Sequence, residues 1–358
     1  MSKKKGKAKT VMKKEPLKLL SLSTIRKLYL KNYRQLLIVP LILFVLSTLV
    51  LVVNYLNTGE LINRDVSLKG GISITISLPE NTDTAQLEQF LLSKFKPGSV
   101  NIRLLQIGEN QEGLMIEASD IGKDEIISAM EEKLGKISET DYSVETMGSS
   151  LGRSFFQEMF KALVVAFLFM GAVFFFYFAD NRIIKWLVIF LAFLNFFVLL
   201  FSKNELFFTL TTILIVATSL YIYIKYNIPT LAALISAFLD IFISLAIITA
   251  LGMKLTSGGI AAFLMLIGYS IDTSILLSTK VLKGENLDSG LFQAMKTGLT
   301  MSAAGLVATF VSWLLSNNTT LKQIMLILVI GLAMDLITTW IANVSLLRLY
   351  LERKNVKA

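Results

Sequence analysis

The sequence predicts an α-helical polytopic membrane protein of about eight spans, with one α/β domain outside the bilayer. Three observations predict it. Hydrophobic residues make up 54% of the chain and charged residues only 17%, and the apolar residues come in long blocks, not at helical or strand period. Lys and Arg gather in alternate loops, as a chain that crosses a bilayer repeatedly requires. One stretch, 57–154, departs from both patterns, being acidic overall and alternating apolar with polar residues. The chain has no Cys and no His, so disulfides, thiol chemistry and an imidazole base are excluded, and zinc lacks its commonest ligands. No enzymatic role, cofactor or metal is expected.

Residues 1–34, opening "MSKKKGKAKTVMKKEP", form a basic tail with a single acid, Glu15. The plain reading is a cytoplasmic tail that meets anionic headgroups of the membrane lipids. The alternative is a nucleic-acid contact; no nucleic-acid motif accompanies it, and no sequence-specific nucleic acid partner is expected. The stretch "QLLIVPLILFVLSTLVLVVNYL" at 35–56 is a full membrane crossing, and the basic region before it is too long for a cleavable signal peptide.

The domain at 57–154 is legible piece by piece. "SLKGGISITISL" alternates like a strand and "TAQLEQFLLSKF" has helical period; "SVNIRLLQI" and "EGLMIEAS" read as strands joined by the turn "GENQ". "GKDEIISAMEEKLG" is helical with a Gly at its end, and "TDYSVETMG" is a last strand. The order β-α-β-β-α-β is the ferredoxin-like split motif, a fold that hosts many functions. The bundle, 155–350, holds further spans at 157–179, 183–202, 206–225, 229–251, 257–280, 294–315 and 322–350, followed by a short tail, 351–358. The basic residues Arg182, Lys185, Lys225, Lys280 and Lys283 and both tails then fall on one side, the cytoplasmic one, and Tyr221, Tyr223 and Tyr226 sit where an interfacial aromatic belt belongs.

Four stretches resemble the SecF family, the smaller membrane component of the SecD–SecF accessory complex of protein export, in its archaeal-type branch. "SLKGGISITI" (67–76) is similar to the signature of the family's outward domain; Ser67 stands where most members have Asp, so only Gly70 and Gly71 carry over. "FLDI" (238–241) resembles the family's membrane Asp, with Leu239 in place of the usual His. "GYSIDTSILL" (268–277), containing Gly268 and Tyr269, resembles the family's most recognisable helix but lacks one Asn before Asp272. In "AMKTGLTMS" (294–302), Lys296 with Thr297 takes the place of Arg-Thr. The family usually has six spans, so about 180–225 is an additional helix pair. The resemblance implies a plasma-membrane accessory subunit with cytoplasmic termini. Its partners would be a SecD-like subunit, the Sec translocon channel and exported polypeptides, and its action would be coupled to proton flow. Its RND-like architecture keeps a small-molecule exporter open as an alternative, although one small outward domain is too little to build a drug channel. A passive translocon scaffold is the other.

Three carboxylates, Asp240, Asp272 and Asp335, lie deep in spans. Each either hydrogen-bonds a Ser, Thr or amide across the bundle, or handles a proton or ion. Burial raises the pKa of a carboxylate, which brings proton exchange within reach of neutral pH. With the resemblance, the proton-relay candidates are Asp272, Asp240 and Lys296. Lys296 lies near the start of its span, at a depth similar to Asp272, with snorkelling to the interface as its bland alternative. Asp335 ranks lower, since Thr338 or Thr339 can satisfy it.

Overall fold

The computed structural model describes residues 33–78, 84–95, 100–106, 112–118, 121–138, 141–202, 204–283, 287–316 and 318–357. The basic tail as far as residue 32, and the turn read at 108–111, lie outside the described residues. Among the described residues, eight helices are long and apolar enough to cross a membrane. The first is α1 (Ile38–Thr58), preceded by a helical turn at Tyr33–Leu36. Six more follow the α/β domain: α4 (Ser149–Phe178), α5 (Arg182–Phe201), α6 (Glu205–Tyr226), α7 (Ile228–Ala250), α8 (Ser257–Leu282) and α9 (Leu287–Leu315). The last span is α10 (Thr319–Ile337), which runs through a π-helical turn (Thr338–Asn343) into α11 (Val344–Lys357). A helix satisfies its own backbone, which is what a bilayer demands. Its first turn leaves N–H groups over, and here side chains take them up. Asn181, Asn204, Asn227, Thr256 and Asn318 accept from backbone N–H groups at the starts of α5, α6, α7, α8 and α10.

Between α1 and α4 stand β1 (Gly71–Ser77), α2 (Thr84–Lys94), β2 (Val100–Gln106), β3 (Glu112–Ala118), α3 (Lys123–Leu134) and β4 (Tyr142–Met147). The four strands form one antiparallel sheet in the order β2-β3-β1-β4. Ile74 lies opposite Ile116 on one side and Val144 on the other. Because side chains alternate across a strand, Ile74, Ile76, Leu114 and Ile116 share one face, and they pack with Leu87, Leu91, Ile126 and Met130 of the two helices. This core is separate from that of the bundle.

The boundaries differ from the sequence reading at the domain's neck. The strand begins only at Gly71, and residues Val66–Lys69 form a helical turn whose Leu68 is buried in the bundle core. α4 starts at Ser149, well before its apolar stretch, and carries the chain from the sheet into the bilayer. Gly70 and Gly71 have φ of 86° and 135°, which favours glycine at both. Gly152 of α4 is pressed against them, so a Cβ there would sit 2.6 Å from Gly70 N.

The neck is fastened to the α7–α8 loop. Leu255 N donates to Asn63 O at 2.7 Å and Asp65 N to Leu255 O at 2.9 Å, a parallel bridge at Arg64 and Leu255. Lys254 Nζ meets Glu117 Oε2 of β3 at 2.6 Å, with Glu117 only 3% exposed. Ser257 N donates to Ser67 Oγ at 3.3 Å. Glu60 pairs with Arg64 and Lys69, each at 3.0 Å. Burial pushes its carboxyl up, but the two cations outweigh that and hold it below the usual range. The stabilisation from this pairing is therefore present above the ordinary carboxylate range and fades as pH falls through it.

α5 and α6, the pair read from sequence as additional, sit at the edge of the bundle. Ala172 and Phe175 of α4 pack with Val188 and Ala192 of α5 and with Ile222 and Tyr223 of α6. Asn195 Nδ2 donates to Thr212 Oγ1 at 2.8 Å, tying the two helices together inside the apolar layer. Tyr223 is a correction to the expected aromatic belt. It lies about 200° round the helix from Tyr221, and this buries it against Gly171, whereas Tyr221 and Tyr226 stay exposed beside Lys225.

Two outcomes are expected. Residues 70–147 produced alone fold as a soluble α/β domain with a mixed circular dichroism spectrum, since their core is their own; a disordered spectrum would contradict it. Lys254→Met removes the ion pair that joins the α7–α8 loop to the buried Glu117 and weakens the docking of the domain by up to roughly 3 kcal/mol, read as faster proteolysis at the neck and a lower unfolding temperature.

Candidate functional site: a buried pair of carboxyl groups

Three spans place acids and hydroxyls on facing stripes. On α7, Ser236, Asp240 and Ser244 recur every four residues and so share one face. On α8 the corresponding stripe is Ser270, Ser274 and Ser278, with Thr273 beside it; all four are buried. On the last span it is Asp335 followed by Thr338, Thr339 and Asn343. The π-helical turn adds a residue to the helical repeat, and it buries Thr338, Thr339 and Asn343 together.

Asp240 and Asp335 are each 1% exposed. Asp240 lies about 18 Å along α7 from its first residue, by the rise of an α-helix, which is mid-span. Ser270 Oγ donates to Asp240 Oδ2 at 2.8 Å, and Thr338 Oγ1 donates to Asp240 Oδ1. Thr339 Oγ1 donates to Asp335 Oδ1 at 2.8 Å, and Thr273 Oγ1 to its Oδ2 at 3.3 Å. Both carboxyl groups thus meet hydroxyls of the same small cluster, Ser270 and Thr338 on Asp240 and Thr273 and Thr339 on Asp335. No Lys or Arg pairs with either acid among the described residues. The polar thread continues through Ser236 and Thr339, 3.5 Å apart, and through Asn343 Nδ2, which donates to Ser274 Oγ at 3.1 Å. Among the described residues no group of three or more acids stands close enough to hold a metal ion.

Asp272, the acid ranked first from sequence, does not belong to this cluster. Its neighbours Ser270 and Thr273 turn inward, whereas Asp272 is exposed on the outer face of α8 with Gly268 and with Tyr269, which is 41% exposed. No atom would meet a Cβ at Gly268 within 4 Å. Lys296 and Thr297 are exposed on α9, and no ion pair joins Lys296 to Asp272 among the described residues. The structure thus brings together Asp240 and Asp335 and separates both from Asp272 and Lys296. Asp335, ranked lowest from sequence, is the acid buried in the same cluster as Asp240. Sequence reasoning missed Ser270, Thr273 and Ser236, although serines at four-residue spacing on α8 were a readable signal. Gly70 and Gly71 lie outside the site, in the neck.

Residues 200–353 match the family described as protein export membrane protein SecD/SecF, C-terminal. The protein-export membrane protein SecF of Methanocaldococcus jannaschii is 28% identical over 341 residues, covering 92% of this chain and 99% of that protein. The SecF of Methanothermobacter thermautotrophicus is 29% identical over 330 residues, covering 90% and 94%. Among solved structures, the SecDF of a Thermus species, described as a translocon-associated membrane protein, superposes with a TM-score of 0.58 over 94% of this chain. A SecDF in a super-membrane-facing form gives 0.51 over 92%. Both are 16% identical, a likeness of fold, and the chain spans about two fifths of their length, 40% and 39%. Along nearly its whole length this chain is similar to SecF protein-export membrane proteins.

Proposed function

We propose that the chain is an accessory subunit of the Sec protein-translocation apparatus. It works with a SecD-like subunit beside the translocon channel and promotes export through proton flow. The observation that carries this reading is Asp272, an acid exposed on the outer face of a span at bilayer depth. A carboxylate facing lipid costs ~3 kcal/mol on insertion scales, so a chain with such a face is built to be covered by another membrane subunit. Tyr269 and Lys296 extend the same polar surface. The SecDF chains, more than twice as long, have the room for that second part.

In this reading Asp272 with Lys296 handles protons where the two subunits meet, and the Asp240–Asp335 pair holds a proton within this chain. The outward domain, read as ferredoxin-like, meets the emerging polypeptide, and the neck links it to the α7–α8 loop. Both termini face the cytoplasm, following the Lys/Arg asymmetry. The chain forms and breaks no covalent bond of its cargo and acts as no enzyme.

The test is export rate against membrane abundance in the assembled complex. Asp272→Asn and Asp240→Asn keep size and most hydrogen bonds but exchange no proton, so each lowers export at least about tenfold, equivalent to ~1.4 kcal/mol of barrier, at normal abundance. Asp240→Leu removes the acceptor of Ser270 and Thr338 and lowers abundance instead. Normal export with both Asn variants would leave a passive scaffold. Purification from native membrane brings a SecD-like chain with it, and its absence would remove the subunit reading. Reporter fusions at Asn204 read outside, and fusions at Lys283 read inside.

A further inference from the structure

At one end of the bundle, basic side chains stand on aromatic rings. It is the end where Arg348 pairs with Asp288 at the start of α9 and Arg34 pairs with Glu352. α8 closes there at Lys283, whose Nζ lies 4.0 Å from the ring centre of Tyr177 and 5.6 Å from that of Phe178, in the last turn of α4. In the first turn of α5, Lys185 Nζ lies 5.3 Å over Phe176, and Trp186 meets the same ring edge-on at 5.7 Å. At the end of α6, Lys225 stands 5.7 Å over Tyr221 and 5.4 Å over Tyr226. Val188 and Ile222, each about one turn inside its lysine, share a core with Phe175 of α4, so the three ammonium groups lie at similar depth.

Among the described residues none of Arg182, Lys185, Lys225 and Lys283 forms an ion pair. Asp180, exposed in the α4–α5 turn, is outnumbered by these four cations, and Asp288 is taken by Arg348. Past the cations the surface turns apolar at once. Ile183 is 81% exposed, and Phe190 and Phe197 of α5 with Leu214 of α6 continue an exposed apolar track toward the middle of the span.

We propose that this shelf binds the phosphate of an anionic phospholipid whose acyl chains lie along α5 and α6. A ring face holds an ammonium in place without neutralising it, so each lysine keeps a full charge and donors for an oxyanion. Basic residues and aromatic rings at headgroup level are common in membrane proteins. Here, however, Lys185 and Lys283 reach from two different helices to three consecutive rings of α4, Phe176, Tyr177 and Phe178. A soluble anion would meet the charges but leave the apolar track unused; a phospholipid matches both. The bound headgroup then bridges the α5–α6 pair to the end of α8, independently of any proton handling.

The three tryptophans make the site testable in the intact purified chain. Trp340 is 3% exposed, and Trp313→Phe removes the one at the opposite end of the bundle, so Trp186, 58% exposed, reports the shelf. The chain is placed in nanodiscs of phosphatidylcholine with a small fraction of phosphatidylglycerol, one lipid or the other brominated on its upper acyl chain to quench nearby tryptophan. A cation at the surface adds about fivefold to the affinity for anionic lipid, so phosphatidylglycerol should be enriched beside Trp186 at least about tenfold over its share of the lipid. Lys185→Gln and Lys283→Gln each lower that enrichment about fivefold, whereas Lys322→Gln, at the opposite end, leaves it unchanged. Equal quenching by brominated phosphatidylcholine identifies the variants that fold. Inorganic phosphate displaces no more lipid than chloride at the same ionic strength. No enrichment, enrichment that survives the combined lysine variant, or an equal loss with Lys322→Gln would overturn the proposal. Displacement by phosphate beyond that by chloride would do so too, by showing a site for a free anion.

Discussion

Two carboxyl groups cannot be buried together in the middle of a membrane bundle without a set of hydroxyls to bond them, and much of this structure follows from that constraint. Asp240 and Asp335 are surrounded by Ser270, Thr273, Thr338 and Thr339. Those six residues come from three spans, so the spans must hold one register. Small residues allow the approach: Ala233 and Ala237 on α7, and Gly331 against Leu266. In lipid, helices gain little from burying apolar faces on one another, and close backbone packing with interhelical hydrogen bonds takes over. The π-helical turn lies in the same span one turn from Asp335, where it sets both threonines toward the acids.

The same economy of polar contacts governs the neck. The α/β domain has its own core, yet it does not hang on a free linker. Leu68 is sunk in the bundle, Gly70 is pressed on Gly152, and Glu117 reaches Lys254 across the boundary. Because Lys254 and Leu255 lie between α7 and α8, the loop held by the domain joins the two helices that bear Asp240 and Ser270. A displacement of the domain therefore acts directly on the ends of the helices that line the carboxyl pair.

Around this centre the bundle presents two unlike surfaces. The helix pair α5 and α6 shows large exposed apolar side chains, Phe190, Phe197, Leu210 and Leu214 among them, as a lipid-facing edge does. The face with Asp272, Tyr269 and Lys296 is polar at comparable depth. Lipid suits the first and not the second, so the bundle's edges differ in what they need as a neighbour.

The sequence by itself determined the eight spans and the strand and helix order of the α/β domain, and it carried the resemblance to SecF. Each of these rests on patterns that local chemistry dictates: apolar runs as long as a bilayer is thick, alternation along strands, and motif residues in order. It also marked all three membrane acids. Only the tertiary structure decided how they pair. Asp335 lies 95 positions after Asp240 in the chain, and no local pattern says which face of one helix meets which face of another. The rotation of α8 sends Ser270 and Thr273 inward and Asp272 outward, a difference of one or two residues at a turn of about 100° each. The neck escaped sequence reading for a related reason. Leu68 and Glu117 look like ordinary members of an alternating domain until the α7–α8 loop is brought against them, because a contact between distant segments is set by how whole elements pack.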